Sequence, residues 1–181
     1  YRCRSVRCVA IGGEPATGKT TLVSEIYRNL NKPRNLKYGL VRGHVDQERN
    51  LALLGIYNTG DLFLGTDKLA MNVNPHFHQY ISKQNRNILF EGDRLFTKSN
   101  LEALNSLYET RIIVLNASQQ TLDDRHKARG DSQTEKFLMG RKTKIANIKA
   151  AFPAQIEDCE LLNEADTSYL CKDLLEWLSY K

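Results

Sequence analysis

The hydrophobic and polar positions along the chain predict alternating strands and helices. Val6 to Ile11 is a short apolar run that ends in Gly12-Gly13, which is typical of a buried parallel strand. A helix over 20–30 follows, because its apolar residues recur on one helical face before Pro33. Further strands are predicted at 38–45, 87–90, 111–115 and 159–163, and further helices at 67–84, 100–109, 119–129, 134–150 and 168–180. This alternation indicates an α/β fold, a doubly wound, mainly parallel sheet with flanking helices.

Length and composition favour one such domain. The chain has 181 residues, 41% of them hydrophobic, which is enough for a single core over 1–181. No apolar run approaches the roughly 20 residues of a membrane-spanning helix, and the sequence does not start like a signal peptide. We therefore expect a soluble, cytoplasmic protein, with cysteines that are reduced and used for packing.

The strongest chemical signal is a phosphate-binding loop directly after the first strand. Gly13-Glu14-Pro15-Ala16-Thr17-Gly18-Lys19-Thr20 fits G-x-x-x-x-G-K-[ST], and it lies between a predicted strand and a predicted helix. The glycines allow backbone N–H groups to point at phosphate oxygens, and the helix directs its positive end at the same anion. Lys19 is expected to bridge the β- and γ-phosphates of ATP, and Thr20 to ligate Mg²⁺. The next residue, Thr21, is expected either to pack within the helix or to contact the α-phosphate.

The third core strand ends in residues that favour a kinase over other phosphate-loop proteins. GTPases identify guanine with Asn-Lys-x-Asp, whereas the only Asn-Lys of this chain, in Asn31-Lys32-Pro33-Arg34, is followed by arginine at the position of the aspartate. Glu91-Gly92 resembles the strand end of uridine kinases, and Asp93-Arg94 resembles the Asp-Arg of nucleoside kinases, with Leu95 where those carry Ser. Glu91 and Asp93 are expected to hold Mg²⁺ directly or through water, and Arg94 to clamp the transferring phosphate.

A kinase also needs a base for the acceptor hydroxyl, and two carboxylates are candidates. Ligands bind at the carboxyl ends of parallel strands, and Asp46 follows the predicted second strand, so Asp46 is the first choice, with a structural aspartate in a turn as the alternative. Asp67, next to Lys68, is the alternative base or an acceptor contact, although it could equally cap a helix. Asp67 and Lys68 lie within an acceptor-binding insert that is predicted at about 58–86.

Basic residues in the second half predict a lid over the triphosphate at about 119–145. Arg125 and Arg129 are four residues apart, so a helix would present both on one face, and Arg141 follows in the next predicted helix. Such arginines would expel water and neutralise the transition state. A solvated basic face is the alternative.

Several segments together resemble the bacteriophage kinases that phosphorylate 5-hydroxymethyluracil in DNA. The resemblance covers roughly 6–150 and is carried by GEPATGKTT at 13–21, LVRGHVD at 40–46, LGIY at 54–57, GTDKLAM at 65–71 and FEGDR at 90–94. It implies ATP and Mg²⁺ as cofactors and, as acceptor, the base hydroxymethyl group within DNA. A base in duplex DNA must be extruded or presented single-stranded to react.

Charge is compatible with a DNA partner. The net charge is +5, and basic residues outnumber acidic ones in 1–50 and 121–150 but not in 154–181. The residues expected to track the DNA backbone are Arg2, Arg4, Arg7, Arg34, Lys37, Arg42 and those of 141–149. Tyr38, Tyr57 and Phe77 are candidates for stacking on the base, although such aromatic residues are more often part of the core. The alternatives are a kinase for a free nucleoside or nucleotide, and a non-catalytic, nucleotide-dependent regulatory module.

Overall fold

The chain folds into alternating strands and helices. The computed structural model describes residues 6–58, 65–130 and 135–179, except the side chain of Arg129. Within these ranges the strands are β1 (Arg7–Gly13), β2 (Arg34–Tyr38), β3 (Val41–Asp46), β4 (Leu51–Leu54), β5 (Asn87–Glu91), β6 (Glu109–Asn116) and β7 (Ile156–Glu160). The helices are α1 (Lys19–Arg28), α2 (Asn74–Lys83), α3 (Lys98–Leu107), α4 (Gln119–Arg129), α5 (Glu135–Ala151) and α6 (Glu164–Ser179), with a 3₁₀ turn at Thr66–Lys68.

The strands of the described residues pair into one sheet in the order β2-β3-β4-β5-β1-β6-β7. From β4 to β7 every neighbouring pair is parallel, whereas β2 and β3 form an antiparallel hairpin next to β4. The predicted fold class, a doubly wound and mainly parallel α/β sheet with flanking helices, is confirmed.

Helices cover both faces of this sheet, and each face has its own apolar cluster. One cluster joins inward residues of β1 to α1 and α6, through Leu22, Val23, Ile26, Leu170, Leu174 and Leu178. The other joins the opposite face to α2, α3 and α5, through Phe77, Tyr80, Ile81, Leu101, Leu104, Ile145 and Ile148. Because both faces are covered, the central strands are apolar throughout and do not alternate.

The hairpin corrects the strand predicted at 38–45. Gly39 and Leu40 form the turn between β2 and β3, with Gly39 at φ +55°, a conformation that favours glycine. A Cβ on Gly39 would collide with His76, whose Nδ1 accepts a hydrogen bond from Leu40 N at 3.3 Å. The parallel position beside β5 is taken by β4 instead.

Strand direction divides the sheet into two edges. The carboxyl edge holds the ends of the parallel strands, including Gly13 of β1 and Glu91 of β5, and the amino edge holds their beginnings. Asp46, the last residue of β3, pairs with Leu51, the first residue of β4, because β3 runs in the opposite direction. Asp46 therefore lies on the amino edge.

Proline and a capping hydroxyl fix where two helices near the carboxyl edge begin. Pro75 lies in the first turn of α2, where its missing N–H breaks no helical hydrogen bond. The Thr97 side chain caps α3 by accepting a hydrogen bond from Asn100 N. Among the helices that the structure describes, none is long and apolar enough to cross a membrane.

Candidate functional site

The phosphate-binding loop connects β1 to α1 at the carboxyl edge, as predicted. Gly18 has φ +98° and directly precedes α1, which begins at Lys19. Ala16 is also left-handed, with φ +66°, and the Thr17 hydroxyl donates to Glu14 O at 2.8 Å. The curled backbone and the amino-terminal end of a ten-residue helix form the arrangement that binds phosphate groups.

Lys19 curls back over this loop and contacts two of its carbonyl groups. Its Nζ donates to Gly13 O at 2.8 Å and to Glu14 O at 2.9 Å. Burial lowers the pKa of Lys19, while the charges of Asp93, Glu91 and Asp67 act in the opposite direction. Three of the predicted site carboxylates thus lie near enough to act on the charge of Lys19.

Glu91 ends β5 and projects towards the start of α1. Its Oε1 accepts a hydrogen bond from Tyr57 OH at 3.0 Å, and Thr20 Oγ1 lies 3.5 Å from the same atom. Burial raises the pKa of Glu91 to about 7, although Lys19 and the hydrogen bonds oppose that shift.

The 3₁₀ turn brings Asp67 to the end of β5. Thr66 Oγ1 donates to Glu91 O at 2.7 Å, and Asp67 Oδ1 accepts from Arg94 N at 3.2 Å. Gly92, at φ +113°, makes this approach possible, because a Cβ there would lie 2.6 Å from Thr66 Oγ1. Asp67 itself is exposed and lies close enough to Lys19 and Glu91 to influence both.

Asp46, the first choice for the base, lies away from this cluster. It is fully buried on the amino edge, where Oδ2 accepts from Asn31 N at 2.9 Å and pairs with Arg49 at 2.8 Å. β1 has seven residues, and at ~3.3 Å per residue its two ends lie roughly 20 Å apart. The predicted placement of Asp46 beside the phosphate loop is therefore wrong, because β3 runs antiparallel to the strands that carry the site.

Helix α5 reaches the site from the other side of the carboxyl edge. Arg141 forms a 2.8 Å ion pair with Asp93, and Lys144 Nζ donates to Asp93 O at 3.0 Å. The Arg141 guanidinium also lies 4.6 Å from the centre of the Phe137 ring. The structure therefore brings Arg141 to the predicted metal ligand Asp93 and adds Lys144 to the site.

Arg125 of α4 approaches the phosphate loop through carbonyl groups. Its guanidinium donates to Ala16 O and to Leu161 O, both at 2.9 Å, and so joins the loop to the segment after β7. In this position it braces the loop, and its predicted phosphate contact stays a prediction. The Arg129 side chain lies outside the described residues.

The remaining predicted residues are placed as follows. Glu14 and Pro15 line a small cavity together with α4 and α5 residues, so the predicted lid adjoins the phosphate loop. Thr21 is exposed on α1, and Lys68 is exposed beside Asp67. Arg94 contacts Asp67 through its main chain, so a clamping role for its guanidinium stays a prediction.

The donor set around Thr20 fits magnesium bound together with a nucleotide. Mg²⁺ usually takes one or two protein oxygens and completes its shell with phosphate and water. Thr20 Oγ1 and Glu91 Oε1 are adjacent at the loop, and Asp93 contributes to the same field. No group of three or more His, Cys, Asp or Glu in the described part of the chain would hold a metal unaided.

Sequence reasoning missed two contacts of this site. Tyr57 is a candidate for base stacking or for the core; its side chain is only 6% exposed, as the core alternative predicts, but the contact of its hydroxyl with Glu91 has no signal in the sequence. Phe77, another proposed stacking residue, is fully buried. Lys144 was grouped with the basic DNA-tracking segment, whereas its spacing of three from Arg141 already placed both on one helical face.

Comparison with known proteins identifies the fold. No family model and no curated protein sequence matches the chain. Among solved structures, the chain is similar to the YorR protein of Bacillus subtilis in complex with phosphorylated GDP, with 12% identity, a TM-score of 0.54 and coverage of 94% of this chain and 95% of that one. It also aligns with APE1195, at 13% identity, a TM-score of 0.47 and coverage of 98% and 99%. The chain thus shares its fold with a protein crystallised with a phosphorylated nucleotide.

Proposed function

We propose that this protein is an ATP-dependent phosphotransferase that phosphorylates an alcohol. The observation that carries the proposal is the convergence, at the carboxyl edge, of the phosphate loop with Lys19, Glu91 and Asp67. A glycine turn with an accidental lysine would not require a buried carboxylate, Glu91, beside the loop, or two further carboxylates close enough to act on the charge of that lysine. Such crowding of charges is typical of functional sites.

The loop and its flanking cations supply binding and charge stabilisation for ATP. Backbone N–H groups of 13–20 and the start of α1 receive the phosphates, and Lys19 exchanges its two carbonyl acceptors for phosphate oxygens. Arg141 and Lys144 lie across the site at Asp93 and add positive charge near the transferred group. Thr20, Glu91 and Asp93 would hold Mg²⁺, which neutralises phosphate charge when bound.

Asp67 is the best-placed base for the acceptor hydroxyl. It is exposed, it lies beside the end of β5, and Arg94 N fixes one of its oxygens. The acceptor oxygen forms a bond to the γ-phosphorus as the bond from phosphorus to the ADP oxygen breaks, and the hydroxyl proton passes to Asp67.

For the acceptor we propose the hydroxymethyl group of 5-hydroxymethyluracil in DNA, in keeping with the family resemblance. Exposed cations support a polyanionic substrate, but fewer than the sequence suggested. Arg7 binds Trp177 O at the amino edge, and Lys149 pairs with Asp158. Arg2 and Arg4 lie outside the described residues. Of the predicted cations, Arg34 and Lys37 in the hairpin and Lys142 on α5 are exposed, and the exposed Lys136 on α5 joins them as a candidate for phosphodiester contacts.

An acceptor comparison tests this proposal. The enzyme receives labelled ATP with the free hydroxymethyl nucleoside, its monophosphate, or the same base in an oligonucleotide, and specificity constants are compared. We expect the oligonucleotide to give the highest specificity constant. This constant should fall steeply as the salt concentration rises, because contacts with the DNA backbone release counterions. Lys19→Ala protein, prepared identically, reports any contaminating kinase.

Two results would redirect the assignment. If a monomer gives the highest constant, the protein is a small-molecule kinase, and if no alcohol is phosphorylated, a nucleotide-dependent regulatory module remains. Lys37→Glu sharpens the test, because Lys37 lies on β2, four positions from β1 in the sheet. It should raise KM for DNA without changing KM for ATP, whereas the exposed Lys172→Glu on α6 should change neither.

A further inference from the structure

Tyr57 is a buried residue whose hydroxyl is directed at the predicted metal ligand. It follows β4, its side chain is 6% exposed, and its OH donates to Glu91 Oε1 at 3.0 Å. A neutral phenol hydroxyl has one proton to donate, and the Glu91 carboxylate oxygen is its acceptor here.

Contacts on every side hold Tyr57 in this orientation. Its backbone N donates to Nε2 of the buried His44 at 3.3 Å, and its ring stacks with that of Tyr27 at a centroid distance of 6.3 Å. Gly65 packs closely against the remaining side. A Cβ at this position would collide with the Glu91 carboxylate and would lie 2.9 Å from Tyr57 OH. The hydroxyl therefore has one direction in which to donate.

This contact has a specific consequence for Glu91. An ionised carboxylate only accepts hydrogen bonds, and when buried it needs donors to remain charged. Thr20 Oγ1 is 3.5 Å from Oε1, a long contact, whereas Tyr57 OH at 3.0 Å is within normal bonding distance. Fixing one carboxylate oxygen also fixes the rotation of the whole group, as outer partners do for metal ligands.

We propose that Tyr57 is a positioning residue that holds the Glu91 carboxylate in the orientation required to bind Mg²⁺ with the nucleotide, supported from behind by His44. The expected effects on kcat and on the acceptor KM rest on the proposed function. Its effect on metal-dependent nucleotide binding does not require any acceptor to be identified.

The test compares Tyr57→Phe with Tyr80→Phe. Both substitutions remove one buried tyrosine hydroxyl, but Tyr80 OH has no hydrogen-bond partner among the described residues and lies in the α2 cluster on the other face. The measurements are binding of a fluorescent ADP analogue as Mg²⁺ is titrated, the melting temperature, and kcat and KM with whichever acceptor is active.

For Tyr57→Phe we expect the Mg²⁺ concentration at half-maximal ADP binding to rise about tenfold, a typical effect of removing an outer partner of a metal ligand. We expect kcat to fall with little change in the acceptor KM, and Tyr80→Phe to match wild type in all three. Wild-type Mg²⁺ dependence in a folded Tyr57→Phe protein would overturn the proposal, and so would a loss of activity that only follows a loss of melting temperature.

If Tyr57→Phe does not fold, Gly65→Ala places a methyl group against the same carboxylate oxygen that Tyr57 contacts and should raise the Mg²⁺ requirement in the same way. An unchanged requirement in that variant would likewise overturn the proposal. The proposed function fails separately, if wild-type protein binds ADP with Mg²⁺ but phosphorylates no acceptor.

Discussion

Asp46 and Glu91 are both buried carboxylates at the last position of a strand, yet they lie at opposite edges of the sheet. Asp46 is fully satisfied: its oxygens accept from Asn31 N, Arg49 N and the Arg49 guanidinium. Burial alone would raise the pKa of Asp46, but these hydrogen bonds outweigh it and hold the pKa below its usual range. Glu91 shares one lysine with two other carboxylates, and burial raises its pKa to about 7.

The difference is the one expected between a structural carboxylate and the functional role proposed for Glu91. Asp46 stabilises the turn between β3 and β4, because its partners come from its own turn and from the end of the preceding helical segment. Glu91, in contrast, is kept at a cost in free energy, which a protein tolerates where charge is needed for chemistry. Equivalent substitutions at the two edges should therefore differ in their effect: those at the carboxyl edge should reduce activity, and those at the amino edge should reduce stability.

The largest contrast concerns the cation at each edge. Lys19→Ala should reduce phosphoryl transfer about 10²–10³-fold, because it removes a charge that acts on the developing transition state. Arg49→Ala, the counterpart at the amino edge, should lower the melting temperature and leave kcat of the folded protein unchanged. Steady-state kinetics and thermal melts measure both, and near-normal turnover in Lys19→Ala would remove the basis of the kinase assignment.

The second contrast exchanges the two candidate bases. Asp67→Asn should lower kcat about 10²-fold with unchanged stability, since it removes basicity from an exposed carboxylate. Asp46→Asn should instead cost about 1–3 kcal/mol of unfolding free energy, because a buried acceptor network loses its charge. Urea denaturation and kcat at saturating ATP distinguish them. The reverse assignment, with catalysis lost only in Asp46→Asn, would contradict the placement of Asp67 as the base.

Much of the fold was predictable, because local patterns determine it. The run from Arg7 to Gly13 is uninterruptedly apolar after its first residue, and its burial on both faces follows from that. The direction of β3 was not predictable in the same way. Gly39 was interpreted as a strand residue, and a turn of two residues reverses the chain there. Because this turn makes β3 antiparallel to β4, Asp46 lies at the amino edge and not at the carboxyl edge where the sequence analysis placed it.

The site was predictable where spacing along the chain defines it. Loop residues 13–20 required only the motif, and Glu91 required only a strand that ends at a carboxylate. Contacts between segments distant in sequence were not accessible: Tyr57 and Glu91 are 34 positions apart, and Lys144 and Asp93 are 51 apart. Such pairs depend on tertiary packing, which single-sequence periodicity does not encode.

The third contrast is the pH dependence of stability, measured without nucleotide and with the metal chelated. The pKa of Glu91 rises from 4.5 to about 7 on folding, so the folded protein binds more protons between those values and loses stability as pH rises through them. Glu91→Gln should remove this slope and stabilise the protein above pH 7 by on the order of 1–3 kcal/mol, while abolishing turnover.

Asp46 should behave in the opposite sense. Its pKa is lowered on folding, so its contribution is fully present above its unfolded pKa of about 3.9 and is lost as pH falls through the folded value. Asp46→Asn should therefore reduce the stability difference between neutral and acidic pH. Denaturation curves across pH 3–8 compare both variants, and equal slopes in Glu91→Gln and wild type would refute the assigned shift.

The smallest contrast concerns two left-handed residues, Ala16 in the phosphate loop with φ +66° and Asn50 beside Asp46 with φ +53°. Alanine is strained in this conformation, whereas asparagine tolerates it. Ala16→Gly should therefore change stability by less than about 1 kcal/mol, since relief of strain is offset by a more flexible unfolded chain, and Asn50→Gly should do the same. Only Ala16→Gly should raise KM for ATP, a few-fold, because Ala16 O is held by Arg125 and its backbone helps to shape the loop. Calorimetric ADP affinity provides the check. If Asn50→Gly weakened ADP binding equally, the amino edge would be coupled to the nucleotide site, and the division between a structural edge and a functional edge would have to be abandoned.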